Sequence, residues 1–322
     1  MAQPLRPLRQ RLTTAGVATL TALAAWACAP AQAASLAACT PTAEHTAAVQ
    51  DRLLQVAAVL RTELEAAHRA SGQRVALVAR SGQALQRLGH RYSHAGLSLK
   101  ASPQTPWSVR QLYFACDEQR PRVFDEGLAR FVMGTHDPAL GHLLVVLPPP
   151  EAAAPLEHAA LDDTLALQLL GHSYSANAHA WGLQHQNCNQ WVAELLATAW
   201  GPSPNTEANT TGPGNARAHA QQALRHQGYQ PSVVQAHWPP IALGAALLPW
   251  FHTADHPADD VAAGRFVVSM PAALHTWVQQ RWPASHTLEL CHTERHVLLR
   301  RGGPPLDAWC QPQPGDEVTP LN

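Results

Sequence analysis

The sequence predicts an α+β protein. Three observations lead there. Thr46 to Ala70 has one apolar stripe at helical spacing. Short apolar runs bounded by Gly and Pro follow between Val75 and Leu147, as strands are bounded. A second helical pattern, opened by Cys188, comes before a tail in which short strand-like runs flank another helical piece.

In the first helix Val49, Leu53, Val56, Leu60 and Leu64 mark the stripe, with Asp51, Arg52, Arg61 and Glu63 largely off it; Ser71-Gly72 ends it. Val75–Ala79 is a continuous apolar run that suits a buried strand, and Arg80-Ser81-Gly82 turns the chain. Tyr92–Leu99 reads as the second strand and Trp107–Phe114 as the third, after the Ser102–Pro106 turn. Leu143–Leu147 is the fourth, stopped by Pro148–Pro150. Leu156–Leu170 reads as a helix broken by Gly171. In Trp191–Trp200, residues Val192, Leu195, Leu196 and Ala199 share one helical face, and Gly201-Pro202 stops the helix. Pro202–Gly214 is a loop or linker by composition, and Arg217–His226 forms a short helix. The tail has apolar runs at Leu247–Phe251, Phe266–Val268, Leu288–Leu290 and His296–Leu299, with Pro271 opening a helix that reaches Val278. The divisions expected are 1–33, 34–72, a core over 73–201, a linker and short helix over 202–240, and a small α+β appendage over 241–322.

The N-terminus is built like a secretory signal peptide. Arg6, Arg9 and Arg11 precede an apolar stretch from Ala15 to Trp26 that is too short to span a bilayer, and Ala31-Gln32-Ala33 is a small-residue cleavage site. Cleavage after Ala33 predicts an exported, periplasmic protein with no transmembrane helix. Leu36-Ala37-Ala38-Cys39 is shaped like a lipoprotein attachment box, but it lies well past the apolar stretch and Pro30, so simple export is the expectation.

Export gives the 6 cysteines meaning. Cys28 leaves with the signal, and an odd set remains in an oxidising compartment: Cys39, Cys116, Cys188, Cys291 and Cys310. Cys291 and Cys310 flank Gly302–Pro305, which can fold their ends together. Pairing these two, and Cys39 with Cys116, leaves Cys188 as the free thiol. Spacing alone does not fix that connectivity.

Charge is balanced, with 22 basic and 23 acidic side chains and no basic stripe, which argues against nucleic acid as a partner. The chain is rich in Pro (27) and His (19), yet its best histidine cluster, His252–Asp260, is a Pro-containing loop without ligand spacing. No metal and no cofactor are expected.

Cys188 is the residue most suggestive of chemistry. It opens its helix, where free N–H groups and the helix dipole favour a thiolate. The other reading is a buried structural thiol. A nucleophile needs a base, and His94 suits that role, standing in a strand beside the small residues Ala95 and Gly96. On the third strand Gln111 can orient the imidazole through its amide oxygen, or it is an ordinary strand residue; Arg110 points the other way. His90, His142, His172, His179 and His185 compete as bases, and His185, three residues before Cys188, assists or caps.

The order of His-strand, polar strand and Cys-helix resembles the circularly permuted papain-like hydrolases related to NlpC-type peptidases. The resemblance covers about Arg74 to Trp200, through Ser93–Leu97 and Asn187–Val192. It implies a permuted core with an antiparallel sheet and a Cys-bearing helix. Closer is the secreted bacterial domain-of-unknown-function family 2145, which has segments similar to Val75–Gly82, Arg91–Gly96, Thr105–Tyr113, Tyr174–Asn177, Gln186–Trp191, Ser269–Pro271 and Glu289–Cys291. That resemblance covers nearly the whole mature chain and implies no activity. The permuted hydrolases have a short polar residue as their third group, which the longer Gln111 matches only loosely.

Two functions from different classes follow. One is an exported cysteine hydrolase acting on cell-wall peptide or on an acyl-lipid amide or ester, with Cys188, His94 and Gln111 as its machinery. The other is a non-catalytic periplasmic binding or assembly protein, with Asn187, Asn189 and Gln190 serving structure and Trp238, Trp250 and Phe251 as contact surface. A third, a histidine-based metal binder, requires stoichiometric metal.

Overall fold

The amphipathic stripe is where this fold begins. In the computed structural model, which describes residues 45–83, 85–201, 213–236 and 249–321, helix α1 runs over Ala47–Ser71. Thr46 caps its start by accepting the Val49 N–H, and Gly72 ends it in the left-handed region. Its stripe, Leu53, Val56, Leu60 and Leu64, is buried against one face of a sheet.

That sheet has eight strands, and every neighbouring pair in it is antiparallel. They are β1 (Val75–Arg80), β2 (His94–Leu99), β3 (Ser108–Ala115), β4 (Arg120–Glu126), β5 (Gly141–Leu147), β8 (His286–His292), β9 (His296–Arg301) and β10 (Glu317–Pro320). The order across the sheet is β10-β9-β8-β5-β1-β2-β3-β4. Alternation sends Ala76, Val78 and Val109 towards α1 and the short helix α2 (Leu128–Met133). Val75, Leu77, Ala79, Ala95, Leu97 and Leu112 face the other way. There they meet α3 (Pro150–Leu161), α4 (Asp163–Gln168), α5 (Cys188–Trp200), α6 (Pro213–His226) and α8 (Pro271–Arg281). The sheet is thus the middle layer of an α+β fold. A two-stranded ladder of β6 (Ser232–Gln235) and β7 (Arg265–Val268), with α7 (Ala258–Ala262) before β7, lies outside it.

Several elements differ from the sequence expectation. Strand β4 follows a tight turn, but Pro121 and four charged residues, Arg120, Arg122, Asp125 and Glu126, hide its pattern; at the sheet's edge one side of the backbone needs no partner, so such residues are tolerated. The helix expected over Leu156–Leu170 is two helices. Pro150 is a helix start as well as a strand stop, and Asp162 caps α4 by accepting the Thr164 and Leu165 N–H groups. Helix α5 is buried at every residue but Thr198 and Ala199, where one apolar face was expected, and its one charged residue, Glu194, is paired with Arg217 of α6 at 2.9 Å. The tail 241–322 is less an appendage than a completion of the core. Strand β8 pairs with β5, and Leu274, Trp277 and Val278 of α8 join the cluster under α5. The described residues all fall within one compact unit, Ser35–Asn322.

Cys291 and Cys310 form a disulfide. Cys116 is disulfide-bonded as well, and Cys39, its expected partner, lies outside the described residues, as do the signal segment 1–33 and the attachment box. Trp238 and the first part of the Leu247–Phe251 run also lie outside them. No described helix is long and apolar enough to cross a membrane. No group of three or more metal-ligating side chains occurs among the described residues, the His252–Asp260 loop included.

Candidate active site

His94 is the first residue of β2 and Cys188 the first residue of α5. The two starts are tied together: the Asn189 side-chain amide donates to the Ser93 carbonyl at 3.1 Å. Gly96 lets β2 and β3 close up, since a Cβ there would meet Val109 Cγ1 at 2.6 Å and the Arg110 carbonyl at 2.9 Å.

His94 and Gln111 are brought together. The imidazole Nε2 lies 2.9 Å from Gln111 Oε1, and Gln111 Nε2 donates to Glu126 Oε2 at 3.1 Å. A carboxylate that accepts from the amide nitrogen fixes which end of Gln111 faces the ring. His94 therefore donates through Nε2, and Nδ1 is the basic nitrogen. The ring stacks on Tyr113 at 4.6 Å and tilts against Phe131 of α2 at 6.3 Å. Burial, then the nearby Arg80 guanidinium, pushes the imidazole down to about 3, against the pull of Gln111. Burial holds Glu126 above the usual carboxylate range, and Arg130, Arg80 and Gln111 oppose it.

Cys188 is the free cysteine among the described residues, and it is only 6 % exposed. Burial pushes its thiol up to about 11; the Asn189 N–H, Arg80, its own N–H and the Tyr174 hydroxyl pull the other way. The helix start was expected to favour the thiolate, and here desolvation outweighs it. No hydrogen bond joins the thiol to His94 among the described residues. Tyr113 stacks on the His94 ring, and burial, opposed by Arg80, raises its hydroxyl pKa. At neutral pH the thiol and the imidazole are both uncharged.

The polar residues around Cys188 hold backbone. Asn187 is the cap of α5, its Oδ1 accepting the Gln190 N–H at 2.7 Å, so His185 is not. Asn187 Nδ2 reaches the Ala176 and Ser269 carbonyls. Gln190 Nε2 reaches those of Ala180 and Gly182. Gln186 accepts the Gly171 N–H at 2.7 Å and donates to Leu169 and to Glu194. The loop before the thiol is thus fixed by amide side chains that its own motif supplies.

Of the competing histidines, His142 bonds the Asp307 carbonyl at 3.3 Å. His185 bonds Ser173 and stacks on His252 at 4.6 Å, and His179 packs edge-on to His256. His172 is exposed and His90 half-exposed. Four residues that pattern reading passed over stand at this site: Arg80, Tyr113, Glu126 and Tyr174. Arg80 had one signal, a charged residue ending an otherwise apolar strand.

The fold and site together define an α+β protein with one buried thiol and one buried imidazole at the start of adjoining elements. The chain belongs to the DUF2145 family, described as uncharacterized protein conserved in bacteria, which it matches over residues 67–278. No curated protein and no solved structure matches it.

Proposed function

We propose that this is an exported cysteine hydrolase with a permuted papain-like, NlpC-type core, acting on cell-wall peptide or on an acyl-lipid amide or ester. One observation carries this reading: the start of the free-thiol helix is clasped to the start of a strand whose histidine is oriented, through Gln111, by Glu126. In the reaction His94 Nδ1 takes the thiol proton and Cys188 attacks the acyl carbon. The C–N or C–O bond breaks, and the imidazolium returns the proton to the leaving group. Water then releases the acyl group from the thioester. The closed, neutral pair described above is the resting state in this scheme, and substrate opens it.

A second reading, a non-catalytic periplasmic binding or assembly protein, is favoured by the thiol's burial and by the structural use of Asn187, Asn189 and Gln190. Turnover of cell-wall fragments and of lipid esters separates the two. Hydrolysis that disappears in both Cys188→Ser and His94→Ala supports the hydrolase. Hydrolysis that survives in either folded variant, or none on any substrate of these classes, moves the assignment to the binding protein.

A further inference from the structure

Away from Cys188 and His94, four histidines meet in two pairs, and each pair joins the same two segments. The rings of His179 and His256 meet edge-on at 5.1 Å, and those of His185 and His252 stack at 4.6 Å. His179 and His185 lie in the loop 173–185 that leads into α5. His252 and His256 lie in the segment 250–256.

That segment is tied across the loop. The Trp250 carbonyl accepts the Ala176 N–H at 2.8 Å, and Ser175 Oγ accepts the His252 N–H at 2.9 Å. Asp255 Oδ2 accepts the His179 N–H at 2.8 Å, and His256 Nε2 donates to the Asn177 carbonyl at 2.7 Å. On its other side the loop lies against the thiol helix, where the carbonyls of Ala176, Ala180 and Gly182 take the Asn187 and Gln190 amides. Strand β7 holds it too, through the Val267 carbonyl and the Ala180 N–H at 2.9 Å. None of these latter bonds uses a group that titrates. The contact with 250–256 brings together four that do.

The contact suits neutral rings. Because His256 donates through Nε2, a second proton must go to Nδ1, which is buried and has no partner among the described residues. Two imidazolium rings at either pair's separation repel each other. Asp255 is the carboxylate at hand, with Oδ1 3.9 Å from His256 Nε2, and it faces both pairs. Asp260 also faces His179, but Arg265 holds it at 2.9 Å. From α6, Arg225 adds positive charge near His179, and Arg217 donates to the His185 carbonyl at 3.3 Å. Burial lowers His179, with His256 adding to it and Asp255 opposing. Burial lowers His185 as well, against Asp255 and with His252 and His256.

We propose that segment 250–256 is an acid-released strap, which holds the loop beside Cys188 while the paired histidines are neutral and lets go as they take up protons. Its bearing on access to Cys188 rests on the proposed function; the strap itself does not. In released segments histidines titrate near 6.5. The closed pairs resist protonation, so opening grows as pH falls below that value.

The test is hydrogen exchange of the full chain with disulfides intact, read by mass spectrometry at pH 7 and pH 5 and corrected for the intrinsic pH dependence of amide exchange. Peptides over 173–185 and 250–256 are compared with one over β1. Relative to β1, they are expected to exchange about tenfold faster at pH 5 than at pH 7. His252→Phe with His256→Gln keeps a ring on His185 and a donor for the Asn177 carbonyl but leaves no titrating group on the strap. That double variant is expected to lose most of the acceleration. Equal relative rates at the two pH values in wild type overturn the proposal even if the double variant does not fold. So does an acceleration in the folded double variant as large as in wild type, or a strap already unprotected at pH 7. Exchange needs no substrate, so a failed hydrolase assay leaves this result standing on its own.

Discussion

Asn189 donates its side-chain amide to the carbonyl of Ser93 at 3.1 Å, and this contact links the helix that begins at Cys188 to the strand that begins at His94. The residue is 2 % exposed, so nothing from solvent replaces the bond when it is lost. Asn189→Ala leaves a carbonyl in this clasp unpaired and is expected to cost about 1–3 kcal/mol. A lower urea midpoint at unchanged slope checks it. A midpoint equal to wild type means that the clasp holds nothing.

Gly96→Ala tests the approach of β2 to β3. The new methyl meets Val109 Cγ1 at 2.6 Å and backbone at 2.9 Å, and backbone cannot swing aside. A loss of about 1–3 kcal/mol is expected from overpacking. The His94–Gln111 bond spans these same two strands, so the variant should also disturb the His94 ring. Histidine side-chain NMR shifts report on that directly.

Much of this architecture was legible in the sequence, because α1, β1, β3, β5 and α5 have periodicities that burial dictates. The apolar runs Phe266–Val268, Leu288–Leu290 and His296–Leu299 were legible, and they fall in β7, β8 and β9. The place of β8 and β9 in the sheet was not, since pairing β8 with β5 depends on contacts almost 150 residues apart that leave no local pattern. Strand β4 was hidden by the polar composition that an edge tolerates, and Glu126 was hidden with it. His94, Gln111 and Cys188 were visible as residue types in context. Arg80 had only its place at the end of an apolar strand to mark it, and Tyr174 had nothing, because a buried tyrosine looks locally like any surface one.

The Cys291–Cys310 bridge closes a loop with a sequence separation of 19 between β8 and the turn before β10. Leu298 and Leu306 pack around it, and His296 bonds the Cys310 carbonyl at 3.0 Å. Chain entropy for a loop of this size predicts that Cys291→Ser with Cys310→Ser costs about 3 kcal/mol. Thermal unfolding of the double variant beside wild type measures it. The loop 302–316 is expected to become the first site of proteolysis, and an unchanged cleavage pattern would show that the bridge is dispensable there.

Three of the buried histidines, those that burial shifts furthest, should make the protein sensitive to mild acid. Burial pushes His94 down to about 3, with Arg80 adding to it. It pushes His142 and His292 down to about 4, with Arg91 acting on the first and His142 on the second. In the unfolded chain each titrates near 6.5. As pH falls below that value the unfolded state takes up protons that the folded state refuses, so stability drops. The loss begins near pH 6.5 and continues to about 4 for His142 and His292, and to about 3 for His94. These three groups contribute up to ~4 kcal/mol per pH unit, and His90, His179, His185 and His275, which burial also lowers, add to it. Glu126 and Glu194, which burial shifts upwards, oppose part of it at the acid end. Urea midpoints at pH 7.5, 6 and 5 are expected to fall in that order. His292→Gln removes one titrating group and should flatten the profile by up to ~1.4 kcal/mol per pH unit. A profile as steep in the variant as in wild type would place the acid sensitivity elsewhere in the molecule.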